Sequence, residues 1–216
     1  MRVTCKLPFF YFFCSRFIMS TIAEQLKAQT MSQHQETEKA MVLYLKAQTS
    51  PESYAHLLKS FYRFFAPLEQ LISRHIDLSK IPDYKERRKA ATLLQDLRAM
   101  AVTHDMEAAS GTELPDIYDH YTALGALYVY EGSTLGGSHI VQMIRKRSNM
   151  PDEVFNYFSG YGPEKTTRLW QRFVSYLNHP ENETHKEEII RAANQTFECL
   201  GTVLNQDLNR VVAQVA

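Results

Sequence analysis

His34 has neighbours suited to a metal ligand. Glu38 follows it by four residues and Lys27 precedes it by seven, so on a helix all three share one side. A neutral imidazole binds metal through one nitrogen. A carboxylate one turn away can hold the other nitrogen, directly or through water, and so fix the tautomer. A lone helical histidine is more often an ordinary core or surface residue, and the chain has 8 histidines. Residue type alone does not select His34.

A second unusual stretch is Glu131-Gly132-Ser133-Thr134-Leu135-Gly136-Gly137, flanked by the helical patterns LGALYVY and IVQMIRK. Each glycine inside a helix costs about 1 kcal/mol relative to alanine, so the three together cost roughly 3 kcal/mol. Gly132 and Gly136 fall on one face, with Gly137 beside them. Bare backbone there admits a flat ligand at van der Waals distance and gives the helix a place to bend. Close helix–helix packing through small residues explains the spacing equally well, and the spacing leaves both readings open.

The elements that must position these residues are all helical. Thr21 with Glu24 forms a capping-box pair and opens a helix that runs through Leu26, Thr30 and His34 towards Leu45. Ser50-Pro51-Glu52 opens a second. Its stripe of Tyr54, Leu57, Leu58, Phe61, Phe64, Phe65, Leu68, Leu71 and Ile72 has three-four spacing, and Pro67 should kink it. Asp83 with Glu86 is expected to cap a third, carrying Leu93, Leu94 and Leu97. A break follows near Ser110-Gly111. Pro115-Asp116 is expected to open a fourth, running through the glycine cluster to about Arg147. Val154, Phe155 and Phe158 lie on a short helix or turn ending at Gly160-Tyr161-Gly162. Pro163 opens a helix that His179-Pro180 ends, and Thr184 with Glu187 is expected to cap the last. No period-two strand pattern, repeat or low-complexity linker is seen, which predicts one all-α domain.

Composition excludes several classes. The chain has 216 residues, 44% hydrophobic and 22% charged, with 24 basic and 24 acidic side chains. That suits one globular domain and lacks the basic excess of a nucleic-acid binder. Cys5, Cys14 and Cys199 show no zinc or CxxC spacing, so a reducing, cytoplasmic setting is expected. The first 18 residues, MRVTCKLPFFYFFCSRFI, are basic, aromatic and free of acids. They are read as upstream extension before a start at Met19, with a targeting peptide or a structural extension as alternatives. The domain proper is expected over residues 19–216. The apolar run is far short of the ~20 residues that a membrane span needs.

Two patterns together carry a family resemblance. Leu26-Lys27-x-x-Thr30-x-x-x-His34-x-x-x-Glu38 resembles the proximal helix of biliverdin-producing haem oxygenases. Tyr130-Glu131-Gly132-x-x-x-Gly136-Gly137 resembles their distal-helix signature. The EGSTLGG string, together with SPESYAHLLKSFYRFFAPLE, FNYFSGYG and LWQRF, is similar to the bacterial, bacteriophytochrome-associated branch. The similarity spans roughly residues 20–205. Two motifs in order, about a hundred residues apart, are far more specific than either alone.

The resemblance implies a single-domain helical bundle with haem, both substrate and cofactor, between the first helix and a glycine-kinked distal helix. His34 would be the axial ligand of the iron, with Glu38 behind it. Gly132, Ser133, Gly136 and Gly137 would form the distal wall, leaving room for O2 and water without an acid–base side chain. That arrangement disfavours peroxidase chemistry and favours attack on a meso carbon, giving biliverdin, CO and iron. Lys27 would face a propionate. Arg168 or Arg172 would do the same from a later helix, Tyr128 is a further candidate, and Phe158 would wall the pocket. Ser133 stands where animal relatives carry an aspartate that anchors distal water. A non-catalytic haem-binding protein of the same fold is the alternative reading.

No dinucleotide fingerprint is present, so electrons would come from a ferredoxin or flavin reductase, and a bacteriophytochrome is a candidate bilin acceptor. Arg87-Arg88-Lys89 or Arg145-Lys146-Arg147 would offer a basic docking surface, unless these are solvated helix faces. Two other classes fit poorly. A di-iron bundle needs Glu-x-x-His pairs, and no histidine has glutamate three residues before it. A thiamin-degrading hydrolase needs a nucleophilic cysteine, and Cys199 sits among apolar residues that suit an inert thiol.

Overall fold

The computed structural model describes residues 20–47, 50–102 and 114–215. The expected extension before Met19 and the break near Ser110-Gly111 lie outside the described residues. Eight α-helices follow in order: α1 (Ile22–Gln29), α2 (Met31–Ala47), α3 (Pro51–His75), α4 (Ala91–Ala99), α5 (His120–Arg145), α6 (Asn156–Ser159), α7 (Pro163–Leu177) and α8 (Lys186–Val215). Short 3-10 turns lie at Tyr84–Glu86, Asp152–Val154 and Pro180–His185. The described chain is all-α, as expected.

Several starts follow the local chemistry. At α1 the Glu24 amide donates to Thr21 Oγ1 at 3.3 Å and the Thr21 amide donates to Glu24 Oε2 at 2.8 Å. Ser50 caps α3 with Pro51 in its first turn, and α3 runs on through Pro67. Its apolar stripe is the centre of the core: Leu57, Leu58, Phe64, Phe65 and Leu68 have no exposed surface.

Four boundaries differ from expectation. The first helix is two, because Thr30 separates α1 from α2; its Oγ1 donates back to the Leu26 carbonyl at 2.8 Å, a local bond that competes with regular helix. Asp83 does not cap a long helix: Tyr84–Glu86 is a 3-10 turn, α4 begins at Ala91, and the Asp83 carboxylate turns to Arg87 instead. α5 opens at Asp119, which accepts from the Thr122 amide at 2.8 Å, and not at Pro115-Asp116. α8 begins at Lys186, after a 3-10 turn that contains Thr184.

The bundle is organised around α8 and α5. α8 packs against both α5 and α2, while α3 packs against α4 and α5. The α5–α8 contact requires a glycine. A Cβ on Gly125 would fall 2.2 Å from the Ile189 carbonyl oxygen and 2.9 Å from the Ala192 Cβ. At the other side of α5, Asp96 of α4 accepts from the amides of Asn156 and Tyr157 at 3.1 and 2.8 Å and so fixes the start of α6.

Gly125→Ala therefore tests this contact. Helix propensity alone would favour alanine by about 1 kcal/mol. The clash with α8 backbone should reverse the sign and cost about 1–3 kcal/mol. A fall of a few degrees in melting temperature is expected. A variant that melts at or above the parent temperature would show that α5 and α8 separate freely.

Candidate ligand slot between two helices

α2 and α5 run alongside each other in the same direction and are tied at both ends. At the first end the Tyr128 phenol of α5 lies within hydrogen-bonding reach of Thr30, at the α1–α2 break, and burial pushes that phenol above its usual range. At the second end Arg147, just past α5, donates from Nη1 to the carbonyls of Leu45 and Lys46 at 2.9 and 3.1 Å. Those carbonyls belong to the last turn of α2, whose unpaired acceptors and partial negative charge suit a cation. Between the ties stand His34 on α2 and Gly132 and Gly136 on α5.

His34 is 47% exposed. Its ring meets Phe197 of α8 edge-on, with centroids 5.3 Å apart and planes at 89°. Phe197 is itself held by Thr37, whose Oγ1 donates to the Phe197 carbonyl at 3.1 Å. The Nε2 atom stands 3.7 Å from Glu38 Oε1, beyond direct hydrogen-bonding distance but within electrostatic reach. The imidazole is thus braced on one side and open on the other. Among the described residues no group of three or more His, Cys, Asp or Glu side chains could hold a metal ion. A metal at His34 would need most of its ligands from a bound molecule.

The glycines of α5 have separate surroundings, although the helix is continuous through them. In front of Gly136 no described heavy atom lies within 4 Å of an ideal Cβ, whereas Gly132 faces the Trp170 ring at 3.8 Å. Gly137 is a packing glycine: a Cβ there would lie 2.0 Å from the Phe158 carbonyl oxygen. The packing reading of this stretch holds at Gly137, while at Gly136 the backbone stands open, as close approach of a ligand would require. Phe158 is on the packed side, 2% exposed, with its ring against Tyr54 and Phe61.

Ser133 points to a buried polar network behind α5. Its Oγ donates to the Tyr130 carbonyl at 2.7 Å and accepts from Arg88 Nη2 at 2.6 Å. Arg88 also lies over the Tyr157 ring, 3.9 Å from its centroid. Arg87, 1% exposed, donates from Nη1 to Glu131 Oε2 at 2.7 Å and from Nη2 to Asp83 Oδ1 at 3.0 Å. Burial pushes the Glu131 carboxyl above the usual carboxylate range, with Arg87 and Arg88 pulling against it.

This overturns the basic docking surface expected at Arg87-Arg88-Lys89, because the first two are core residues. At the other run, Arg145 pairs with Asp152 and Arg147 caps α2. Of the remaining candidates, Lys27 is exposed at the end of α1 and Arg168 is exposed on α7. Arg172 stands 3.7 Å from Asp83 Oδ2, at the surface end of the Arg87 network.

The sequence reading gives Trp170 and Phe197 no role, takes Arg88 only as docking surface, and takes Glu131 only as part of the glycine stretch. Each acts across a long sequence separation with no local pattern to mark it.

The glycine assignments predict opposite responses to one added methyl. Gly136→Ala should raise stability by up to about 1 kcal/mol, since the methyl enters open space and alanine is the better helix former. Gly137→Ala should lower it by about 1–3 kcal/mol through the clash with Phe158 backbone. Urea denaturation of both variants checks this. The same sign for the two changes would remove the distinction.

Comparison with known proteins agrees with the geometry. The pattern of the Heme oxygenase family matches residues 20–206. A "Heme oxygenase" of Xanthomonas campestris pv. campestris is 27% identical over 154 residues, covering 71% of this chain and 89% of that protein. Among solved structures, heme oxygenase from Leptospira interrogans superposes with a TM-score of 0.70 at 19% identity, over 87% of this chain and 100% of that one. The Neisseria meningitidis enzyme gives 0.68 at 23% identity, over 88% and 92%. Heme oxygenase-1 of Synechocystis in complex with heme gives 0.67 at 18%, over 91% and 96%. These likenesses show the shared fold. With that pattern matched over nearly the whole described chain, the chain belongs to the Heme oxygenase family.

Proposed function

We infer that the slot between α2 and α5 takes haem and that the chain cleaves it oxidatively at a meso carbon to biliverdin, CO and iron. The observation that carries this is the pairing of an exposed, braced His34 with the open helix surface at Gly136. The residues present fit the group. Met31 is 40% and Leu135 49% exposed, one on each helix; such large apolar side chains suit a flat apolar ligand.

In this reading the His34 imidazole would hold the iron, with Glu38 and Phe197 fixing its orientation. Bound haem iron supplies the activation of dioxygen. The chain's part is to leave room above it at Gly136, where no side chain can donate or take a proton, and to hold Gly132 and Ser133 in place through Arg88. Lys27 on α1 and Arg168 and Arg172 on α7 are exposed cations, suited to propionate carboxylates.

Electrons come from a separate carrier, a ferredoxin or flavin reductase, and a bacteriophytochrome is a candidate acceptor for the bilin. A cytoplasmic site of action fits that supply of reduced carriers. Among the described residues no helix is long and apolar enough to cross a membrane.

Haem titration followed by the visible spectrum tests the ligand. One-to-one binding with a histidine-type Soret band is expected, lost in His34→Ala and kept in His139→Ala. The reverse pattern would move the axial ligand to α5.

A second expectation concerns catalysis. Gly136→Ala should still bind haem yet lose most bilin yield in a single turnover with reductant. A normal yield from this variant would mean that the space at Gly136 has no part in the chemistry.

A further inference from the structure

The slot face of α5 changes character within one helical turn. Tyr128, Gly132, Gly136 and His139 recur along it at near-helical spacing. At Gly136 the space ahead is open, whereas at Gly132 it is filled by Cη2 and Cζ3 of Trp170. The indole belongs to α7, and it closes the end of the slot where Tyr128 meets Thr30. We propose that Trp170 is the end stop of the slot and determines which meso carbon of the haem is presented for cleavage.

The wall is rigidly built. The Trp170 ring lies 5.7 Å from Tyr128 and 5.9 Å from Phe173, centroid to centroid. The carbonyl of the preceding residue, Leu169, accepts from Arg87 Nη2 at 3.3 Å, so α7 is fixed here by the same arginine that holds Glu131 of α5. Arg87 also lies over the Phe173 ring at 5.4 Å. The α7 backbone that carries the indole is therefore tied to a buried ion pair, and the ring itself packs between Tyr128 and Phe173.

The chemistry of the ligand makes an end stop decisive. Haem is nearly square, and its four meso carbons differ only through the vinyl, methyl and propionate groups around the rim. An axial ligand such as His34 fixes the centre of the square but leaves it free to rotate in its own plane. The rotation that the protein accepts decides which meso carbon lies beside the open backbone at Gly136. A flat, immobile ring at one end and open space at the other is the kind of asymmetry that selects one rotation. Loss of a wall contact of this size relaxes discrimination about tenfold or more.

The inference rests on the haem reading of the slot, and the experiment separates the two. The full chain is loaded with ferric haem while the emission of its single tryptophan and the Soret band are followed. Proton NMR of the cyanide-inhibited complex then resolves in-plane orientations without turnover, and chromatography resolves the biliverdin isomers after turnover.

The parent protein should show one dominant orientation and one dominant isomer. Trp170→Ala should keep His34-type binding and show a second orientation, with its matching isomer raised about tenfold. Trp170→Phe, which keeps a flat ring, should stay close to the parent and guards against a simple folding defect. Parent-like orientation and isomer ratio in Trp170→Ala would overturn the end-stop role while leaving haem binding intact. Haem that alters neither tryptophan emission nor the Soret band of the parent would remove the slot reading itself.

Discussion

Arg87 reaches Glu131 across the bundle at 2.7 Å, and the same guanidinium holds Asp83 and the Leu169 carbonyl. Three segments meet at this one side chain: the turn after α3, the middle of α5, and α7, whose Arg172 also stands near Asp83. The middle of α5 is also where three glycines weaken the helix by roughly 3 kcal/mol. A helix that poor in intrinsic stability needs support from outside. Separating a buried ion pair by removing one partner typically costs about 3–5 kcal/mol, which is the right size to hold such a segment in place. Arg88 adds a second strap one turn away, through Ser133 and the Tyr130 carbonyl. The slot is open on its front because it is pinned from behind.

The glycines divide the work between stability and access. Gly125 and Gly137 let backbone approach backbone, against Ile189 and Phe158. In front of Gly136 no described atom outside its own helix lies within 4 Å of a Cβ, which is the room the proposed ligand would use. A methyl at the first two positions meets carbonyl oxygen, and a methyl at the third meets space. Selection for packing and selection for chemistry thus act on neighbouring residues of one helix, and they are separated by which way each residue faces.

Much of the fold was legible because its signals are local. Capping at Thr21 and Ser50, the proline starts at Pro51 and Pro163, and the long stripe on α3 each depend on residues within a few positions of one another. The errors came where side chains had distant partners. Asp83 looks like a cap, but its carboxylate is taken by Arg87. Arg87-Arg88-Lys89 looks like a charged surface, and nothing nearby in sequence shows that Glu131 and Ser133, more than forty residues on, bury the first two. The site was legible in part for the same reason. His34 with Glu38 and the glycine cluster are short patterns, the first on α2 and the second on α5. Tyr128 stands beside Thr30 and Trp170, Phe158 is buried in the core, and Trp170 carries no local mark of its position.

The two ties between α2 and α5 bear on traffic through the slot. Tyr128 against Thr30 and Arg147 against Leu45 and Lys46 join the helices at opposite ends, as rungs join the rails of a ladder. Rails fastened at both ends cannot part like jaws about a hinge. They can only bow between the ties, over a span that contains His34 and Gly136. A planar disc slides in edgewise between such rails with little bowing. A ring cut open into a puckered chain is thicker and needs more. On the haem reading of the slot, entry would be easier than exit, and the resistance to product release would lie in the bending stiffness of α2 and α5.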